Sequence, residues 1–270
     1  AGGGVLELEM GDTPSMWATA QEARPPSQSD DRLNRLGAPG GPSSLRSSSP
    51  LGDLSEVENR ASAAPPPPSQ LPSDQEMAGE VRSAFLHAWN GYLRHARGMD
   101  ALRPLSQTGR NWYDASMVMT PVDAYDTMRL MGLDEEAEEA KTLILEGLSF
   151  DHDFPVQVFE ITIRILGGLL TAYQMDGDVR FLEMATELAD RMLPAFESAT
   201  GMPYVRVNLR TGEKEWQVNN PAEIGTLMLE FGALSRLTGN PVYYDSAKRG
   251  VEAVFARRSE IGLVGTTIDV

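Results

Sequence analysis

Residues 158–170 read VFEITIRILGGLL, and Glu160 and Arg164 are the only charged side chains in that run. A spacing of four puts them on one side of a helix, within reach of each other. An ordinary i, i+4 ion pair lies on a polar face. Here Val158, Phe159, Ile161, Ile163, Ile165 and Leu166 cover the rest of the helical wheel. The pair therefore faces either a buried structural network or a solvent-filled cavity between inner helices, because charges are seldom buried unless paired or functional. A carboxyl group so placed can hold a proton near neutral pH, which is what a general acid requires. A second apolar helix, AEIGTLMLEFGALSRL, carries Glu223 and Glu230. Seven positions put these two on nearly one face. Each has a plain alternative: Glu223 stabilised at a helix start, Glu230 paired with Arg236 or lying on a rim.

Other clusters carry less. The acidic run Asp134 to Glu139 fits the solvated first turns of a helix, where the macrodipole favours negative charge. His152 stands between two aspartates in DHDFP (residues 151–155), but no second histidine lies at metal-ligand spacing, and a structural loop is the better reading. There are no cysteines, so disulfides, thiolate catalysis and cysteine-bound metals are excluded. No Ser-His-Asp set, phosphate-cradling glycine loop or Asn-x-Ser/Thr sequon is present.

The elements that must hold these residues are legible in the pattern. The chain has 270 residues, 41% hydrophobic and 23% charged, with a net charge of −16. The isoelectric point is about 4.6. That balance repels phosphate backbones and anionic lipid, so no nucleic-acid partner is expected. Most of the 18 prolines precede Asp74, in a stretch also rich in Ser and Gly. Residues 1–76 are therefore expected to be a disordered tail or stalk, and residues 77–270 the folded part. No apolar run of about 20 residues is present. A membrane anchor upstream of Ala1 is compatible with a stalk of this kind.

From Met77 onward the period is helical. The first helix sets Val81, Phe85, Ala88, Trp89 and Tyr92 on one stripe. The segment GMDALRPLSQTGRNWYD (98–114) reads as irregular. TPVDAYDTMRLMGL follows as a helix with Thr120 as N-cap and Pro121 at its first position. Gly132, Gly177 and Gly239 punctuate three helix pairs, each at a helix C-terminus, with Asp134, Asp178 and Asn240 placed to cap the next helix. GMPYVRVNLRTGEKEW alternates and turns at Thr211-Gly212, so it predicts a short hairpin. Helices near 156–175 and 221–239 are apolar on several faces, whereas those near 134–147 and 178–197 are amphipathic and acidic. An inner and an outer set of helices buries both kinds, and the fold class is all-α.

The ordered segments AWNGYLRHARGMDALRPLS, VDAYDTMRLMGL, VFEITIRILGGLLTAY, LPAFESATGMPYVRVNL and AEIGTLMLEFGALSRLTGNPVY resemble the class I α-1,2-mannosidases, glycoside hydrolase family 47, from about Phe85 to Val270. The ending RSEIGLVGTTIDV is similar to the degradation-enhancing branch, whereas Glu223 within AEIGT is more like the glycan-processing branch. The resemblance implies an (α/α)7 barrel, a calcium ion (Ca2+) at its floor, and inverting hydrolysis of terminal α-1,2-linked mannose on glycans or glycoproteins. It assigns Glu160 as the general acid and Arg164 and Glu223 as glycan-binding residues. It places the chain in the secretory pathway, with a bacterial envelope or secreted setting as the alternative. A non-hydrolytic, mannose-binding quality-control factor would share the same residues.

Departures from the family pattern set limits on this. The resemblance covers the first half of the family's domain, and the catalytic base and calcium threonine are expected beyond Val270. The segment by itself is therefore expected to be inactive. Arg97-Gly98 stands where relatives often have Trp-Gly.

Overall fold

The computed structural model describes residues 73–270; the tail expected over residues 1–76 falls almost wholly outside them. The first helix, α1 (Asp74–Ala96), starts slightly earlier than its periodicity suggests. Ser73 caps it, accepting from the Glu76 N–H while the Glu76 carboxylate reaches back to the Ser73 N–H. That reciprocal capping box satisfies two otherwise orphaned donors. Only the second half of α1 joins the core. Trp89, Tyr92 and Ala96 are buried, but Val81 is 48% exposed and Ala88 is also exposed. The stripe is correct in phase and too long in extent, because the first turns of α1 have no described element to pack on.

Three αα-hairpins follow. Helices α2 (Met119–Met131) and α3 (Asp134–Gly147) make the first. The second begins as α4 (Val158–Ile161), passes through a π-helical turn (Thr162–Leu166), continues as α5 (Gly167–Asp176) and returns as α6 (Val179–Met192). The third comprises α7 (Pro221–Thr226) and α8 (Met228–Thr238), which return as α9 (Val242–Ala256). Gly132, Gly177 and Gly239 all end their helices in the left-handed conformation, with φ of 67°, 80° and 74°. This is where a side chain would be strained and glycine is not. Asp178 caps α6 through the Arg180 N–H, and Asn240 accepts from the Val242 N–H at 3.2 Å. Asp134 does not cap α3; its carboxylate turns back to Arg129 at 3.0 Å.

The inner row consists of α2, then α4–α5 with its π-turn, then α8, each packed on the next. Gly168 permits the first of these contacts, since a Cβ there would stand 2.5 Å from Val122 Cγ1. Helices α3, α6 and α9 pair with them as the outer partners. Their sequences explain the placement: α6 buries Phe181, Ala185, Leu188, Ala189 and Met192 along one stripe, as a one-sided amphipathic helix should. Lys141 of α3 ties the first hairpin to the second by bonding Asp176 at 2.8 Å and Asp178 at 3.0 Å. The described residues build these three pairs and α1; a closed ring of seven pairs is not shown by them. No helix among them is long and apolar enough to cross a membrane.

Short strands connect the helices. The predicted hairpin is present as β4 (Arg206–Asn208) and β5 (Lys214–Glu215), with Arg206 opposite Glu215 and Gly212 at φ 73° in the turn. It gains a third strand, β3 (Pro155–Gln157), antiparallel to β4 with Gln157 opposite Arg206. The segment read as irregular also holds a hairpin, β1 (Ala101–Arg103) with β2 (Thr108–Arg110). Finally, β6 (Val218–Asn219) pairs with β7 (Ile268–Asp269). Strands of two or three residues are too short for alternation to be legible, which is why these pairings escape a periodicity reading.

Candidate active site

Strand β3 runs directly into α4, so Gln157 ends the strand and Glu160 falls in the first helical turn. Free N–H groups at a helix start favour an anion there. One turn on, the backbone widens into the π-turn that carries Arg164; such bulges recur at functional sites. Arg164 Nε donates to Glu160 Oε2 at 2.7 Å. Among the described residues only Oε2 is engaged, which leaves Oε1 for another partner.

Arg164 has two further supports, both missed in the sequence reading. Its Nη1 donates to Asp123 Oδ2 of α2 at 3.0 Å. Its guanidinium lies 5.0 Å from the centroid of the Trp112 ring, a cation–π contact. Trp112 is 37% exposed, and the Glu160, Arg164 and Asp123 side chains are each partly open. Burial pushes the Asp123 carboxyl up, and the Arg164 guanidinium only partly offsets that. Arg164 is raised in turn, chiefly by its bond to Glu160. A single cation shared by two carboxylates on neighbouring helices makes a fixed polar surface rather than a loose surface pair. The Glu160–Arg164 pair thus belongs to a partly exposed network on the inner helices.

Helix α7 brings Glu223 to the same place. Asn220 caps α7 by accepting from the Glu223 N–H at 2.9 Å. The Glu223 Oε2 atom lies 3.5 Å from Gln157 Nε2, three residues before Glu160. Gln157 donates its own N–H to the Tyr113 hydroxyl at 3.1 Å. Opposite Gln157 in the sheet, Arg206 donates to the Pro155 carbonyl at 3.1 Å and stacks over Trp216 at 4.9 Å. The backbone of Trp216 is held at φ 58°.

Glu230 does not pair with Arg236. Its side chain lies across Gly167, where a Cβ would meet Glu230 Cγ at 3.4 Å, and its Oε2 is buried without a partner among the described residues. Burial raises its carboxyl from the ordinary range. Gly167 is three residues beyond Arg164, so Glu223 and Glu230 flank the length of helix that carries Glu160 and Arg164. Asp123 and Trp112 had no helical-period signal; nothing in VDAYD singles out its first aspartate until α2 is packed beside the π-turn.

Thr120 does not cap α2. Its hydroxyl donates to the Asp100 carbonyl at 2.7 Å, and the Asp100 carboxylate takes over the capping. The DHDFP loop is structural: Asp151 bonds Arg210 at 3.0 Å, Asp153 accepts from Asn208 at 2.9 Å, and His152 stacks on Phe154. Arg97 forms an ion pair with Glu139 of α3.

Paired helices thus bring two carboxylates, an arginine and a tryptophan to one surface. The chain belongs to glycosyl hydrolase family 47, whose sequence profile matches residues 84–270. It is 40% identical over 184 residues to mannosyl-oligosaccharide 1,2-alpha-mannosidase MNS1 of Arabidopsis thaliana, covering 66% of this chain and 33% of that protein. It is 37% identical over 235 residues to ER degradation-enhancing alpha-mannosidase-like protein 2 of Homo sapiens, covering 82% of this chain and 40% of that one. Its fold matches the alpha-1,2-mannosidase from Trichoderma reesei with a TM-score of 0.66 and 29% identity, over 71% of this chain and 44% of the other. The chain thus spans about a third to two-fifths of the length of these curated relatives.

Proposed function

We propose that the chain forms the general-acid side of an α-1,2-mannosidase acting on terminal mannose of high-mannose glycans. The observation that carries this is the Glu160–Arg164–Asp123 network on adjacent inner helices. Glu160 is the proton donor. Arg164, bonded to Oε2, leaves Oε1 to deliver the proton to the leaving glycosidic oxygen and prevents the carboxyl from rotating away. Arg164 and Glu223 bind the glycan: the guanidinium donates to hydroxyls, and Glu223, steadied by Gln157, accepts from them. The general acid protonates the departing sugar oxygen while a second carboxylate activates water from the opposite face. No residue of this chain is assigned the second role.

The family resemblance also implies a calcium ion. Among the described residues no group of three or more histidine, aspartate or glutamate side chains comes together to hold a metal. The relatives whose names place them in the endoplasmic reticulum support a setting in the secretory pathway for this chain. Relatives of both the processing and the degradation-enhancing kind match it.

The test is Glu160→Gln, made in a form of the protein extending to the length of the family's mannosidases. The amide keeps the shape and removes the transferable proton. Mannose release should fall about 10²–10⁴-fold, the usual contribution of general acid catalysis, with glycan affinity changing far less. Release at the parental rate would make Glu160 only half of a structural ion pair.

A further inference from the structure

Two of the three supports of Arg164 trace back to one buried carboxylate. Asp100, between α1 and β1, is 1% exposed. Its Oδ2 accepts from the backbone N–H of Trp112 at 2.9 Å. Its Oδ1 accepts from the Met117 N–H at 2.7 Å, the Ser116 hydroxyl at 3.1 Å and the Met119 N–H at 3.3 Å. The Asp100 carbonyl accepts from the Thr120 hydroxyl and N–H, at 2.7 and 3.2 Å. Within this knot Val118 adopts φ 52°, a left-handed conformation that a β-branched residue takes only when its surroundings over-determine it.

The two oxygens point to different consequences. Oδ2 fixes the residue whose ring lies on the Arg164 guanidinium. Oδ1 fixes the start of α2, and Asp123, in the second turn of that helix, accepts from Nη1 of the same guanidinium. We propose that Asp100 is a positioning residue for Arg164, acting through Trp112, which stacks on the guanidinium, and through α2 and Asp123, which holds its Nη1. The inference rests on reading Arg164 and Glu160 as the working pair of the site, but not on the reaction assigned to them. A carboxylate is needed because both oxygens must accept. An amide of the same shape has one acceptor and one donor, so it cannot serve both sides.

Asp100→Asn in the 270-residue chain tests this, read by nitrogen NMR of the arginine side chains. With its oxygen kept toward Met117 and Met119, the amide nitrogen faces the backbone N–H of Trp112 and that bond is lost. Solvent exchange of the Arg164 Nε–H should then accelerate about tenfold, the size that loss of a partly desolvated cation–π contact gives. The Arg191 Nε–H, bonded to Glu187 Oε1 at 2.9 Å on a separate helix, should exchange as before. Trp112→Ala, which leaves Asp100 and the helix cap intact, should accelerate Arg164 similarly, and Trp112→Phe, which keeps a ring there, should not. Unchanged Arg164 exchange in Asp100→Asn, or equal acceleration at Arg164 and Arg191, would reduce Asp100 to an ordinary structural cap. If Asp100→Asn does not fold, unchanged Arg164 exchange in Trp112→Ala overturns the proposal by itself. The separate mannose-release assay of Glu160→Gln decides the reaction, so the two failures are distinguishable.

Discussion

Gly168 is the point where α2 and α5 touch, and substituting it tests how the inner row is built. A Cβ at this position would lie 2.5 Å from Val122 Cγ1, 3.1 Å from the Val122 carbonyl oxygen and 3.5 Å from its carbonyl carbon. The methyl could be avoided by a rotamer change, but the carbonyl belongs to α2 itself, so the helix must move. Overpacking of this kind costs about 1–3 kcal/mol. Replacing glycine by alanine in a helix returns about 1 kcal/mol through backbone entropy. The expected net effect of Gly168→Ala is therefore a destabilisation of roughly 0–2 kcal/mol, or up to about 8 °C in melting temperature for a domain of this size. Gly225 supplies the control: it lies in α7 with no atom within 4 Å of its would-be Cβ. Gly225→Ala should stabilise by up to about 1 kcal/mol. Thermal and urea melts of the two variants beside the parent chain decide the matter. Since Val122 precedes Asp123, Gly168→Ala should also loosen the Asp123–Arg164 bond, visible as faster Arg164 side-chain exchange. If Gly168→Ala melts as high as Gly225→Ala, the close α2–α5 approach is not a constraint and the argument for the inner row fails.

Three further outcomes follow from the charged groups. Burial opposes ionisation of Asp176, but bonds from Lys141 and Tyr125 overcome it and hold its carboxyl below the usual range; Arg180 and then Lys141 do the same to Asp178. Such depressed carboxylates add stability above their unfolded values near pH 4 and lose it as the pH falls. Lys141→Met should therefore lower the melting temperature at pH 7 and flatten its decline below pH 4; an unchanged acid limb would show that the pair contributes nothing. Glu230 has the opposite sign, since burial raises its folded value: stability is full below the unfolded value and falls as the pH rises through the folded one. Glu230→Gln should melt above the parent at pH 7 and lose that advantage near pH 4, which paired melts at the two pH values will show. Arg164→Ala removes the cation shared by Glu160 and Asp123, so it should weaken mannoside binding and also lower the melting temperature. Lost binding with full stability would mean that the pair carries no structural load.

The helix-pair grammar was legible because it is local. A glycine in the left-handed conformation leaves its mark at a single position, and Gly132, Gly177 and Gly239 ended their helices as expected. Capping was harder to read, because a cap can come from far away in sequence. Thr120 has the right chemistry at the right distance from Pro121, yet Asp100, nearly twenty residues upstream, occupies the start of α2 and diverts the threonine hydroxyl to its own carbonyl. The strand pairings were hidden for the complementary reason. Two- and three-residue strands such as β1 and β2 are defined by their partners, and no alternation can develop over so few positions.

The site shows the same division more sharply. Glu160 and Arg164 were conspicuous because a helix places residues four apart together regardless of what surrounds it, and two charges in an apolar run violate the hydrophobic pattern. Asp123 is 41 residues from Arg164, and no local rule was broken by an aspartate in VDAYD. Its role appears only once Gly168 has let α2 approach the helix that carries Arg164. Glu230 shows why an apolar helix alone is a weak guide: Arg236 was the nearest cation in sequence, yet the carboxylate turned toward the bare backbone at Gly167. In both cases a glycine with no side chain decides where a charge ends up. Glycines in inner helices are thus as informative about this site as its acids are, because they set which helices come close enough for one helix's charge to be held by the next.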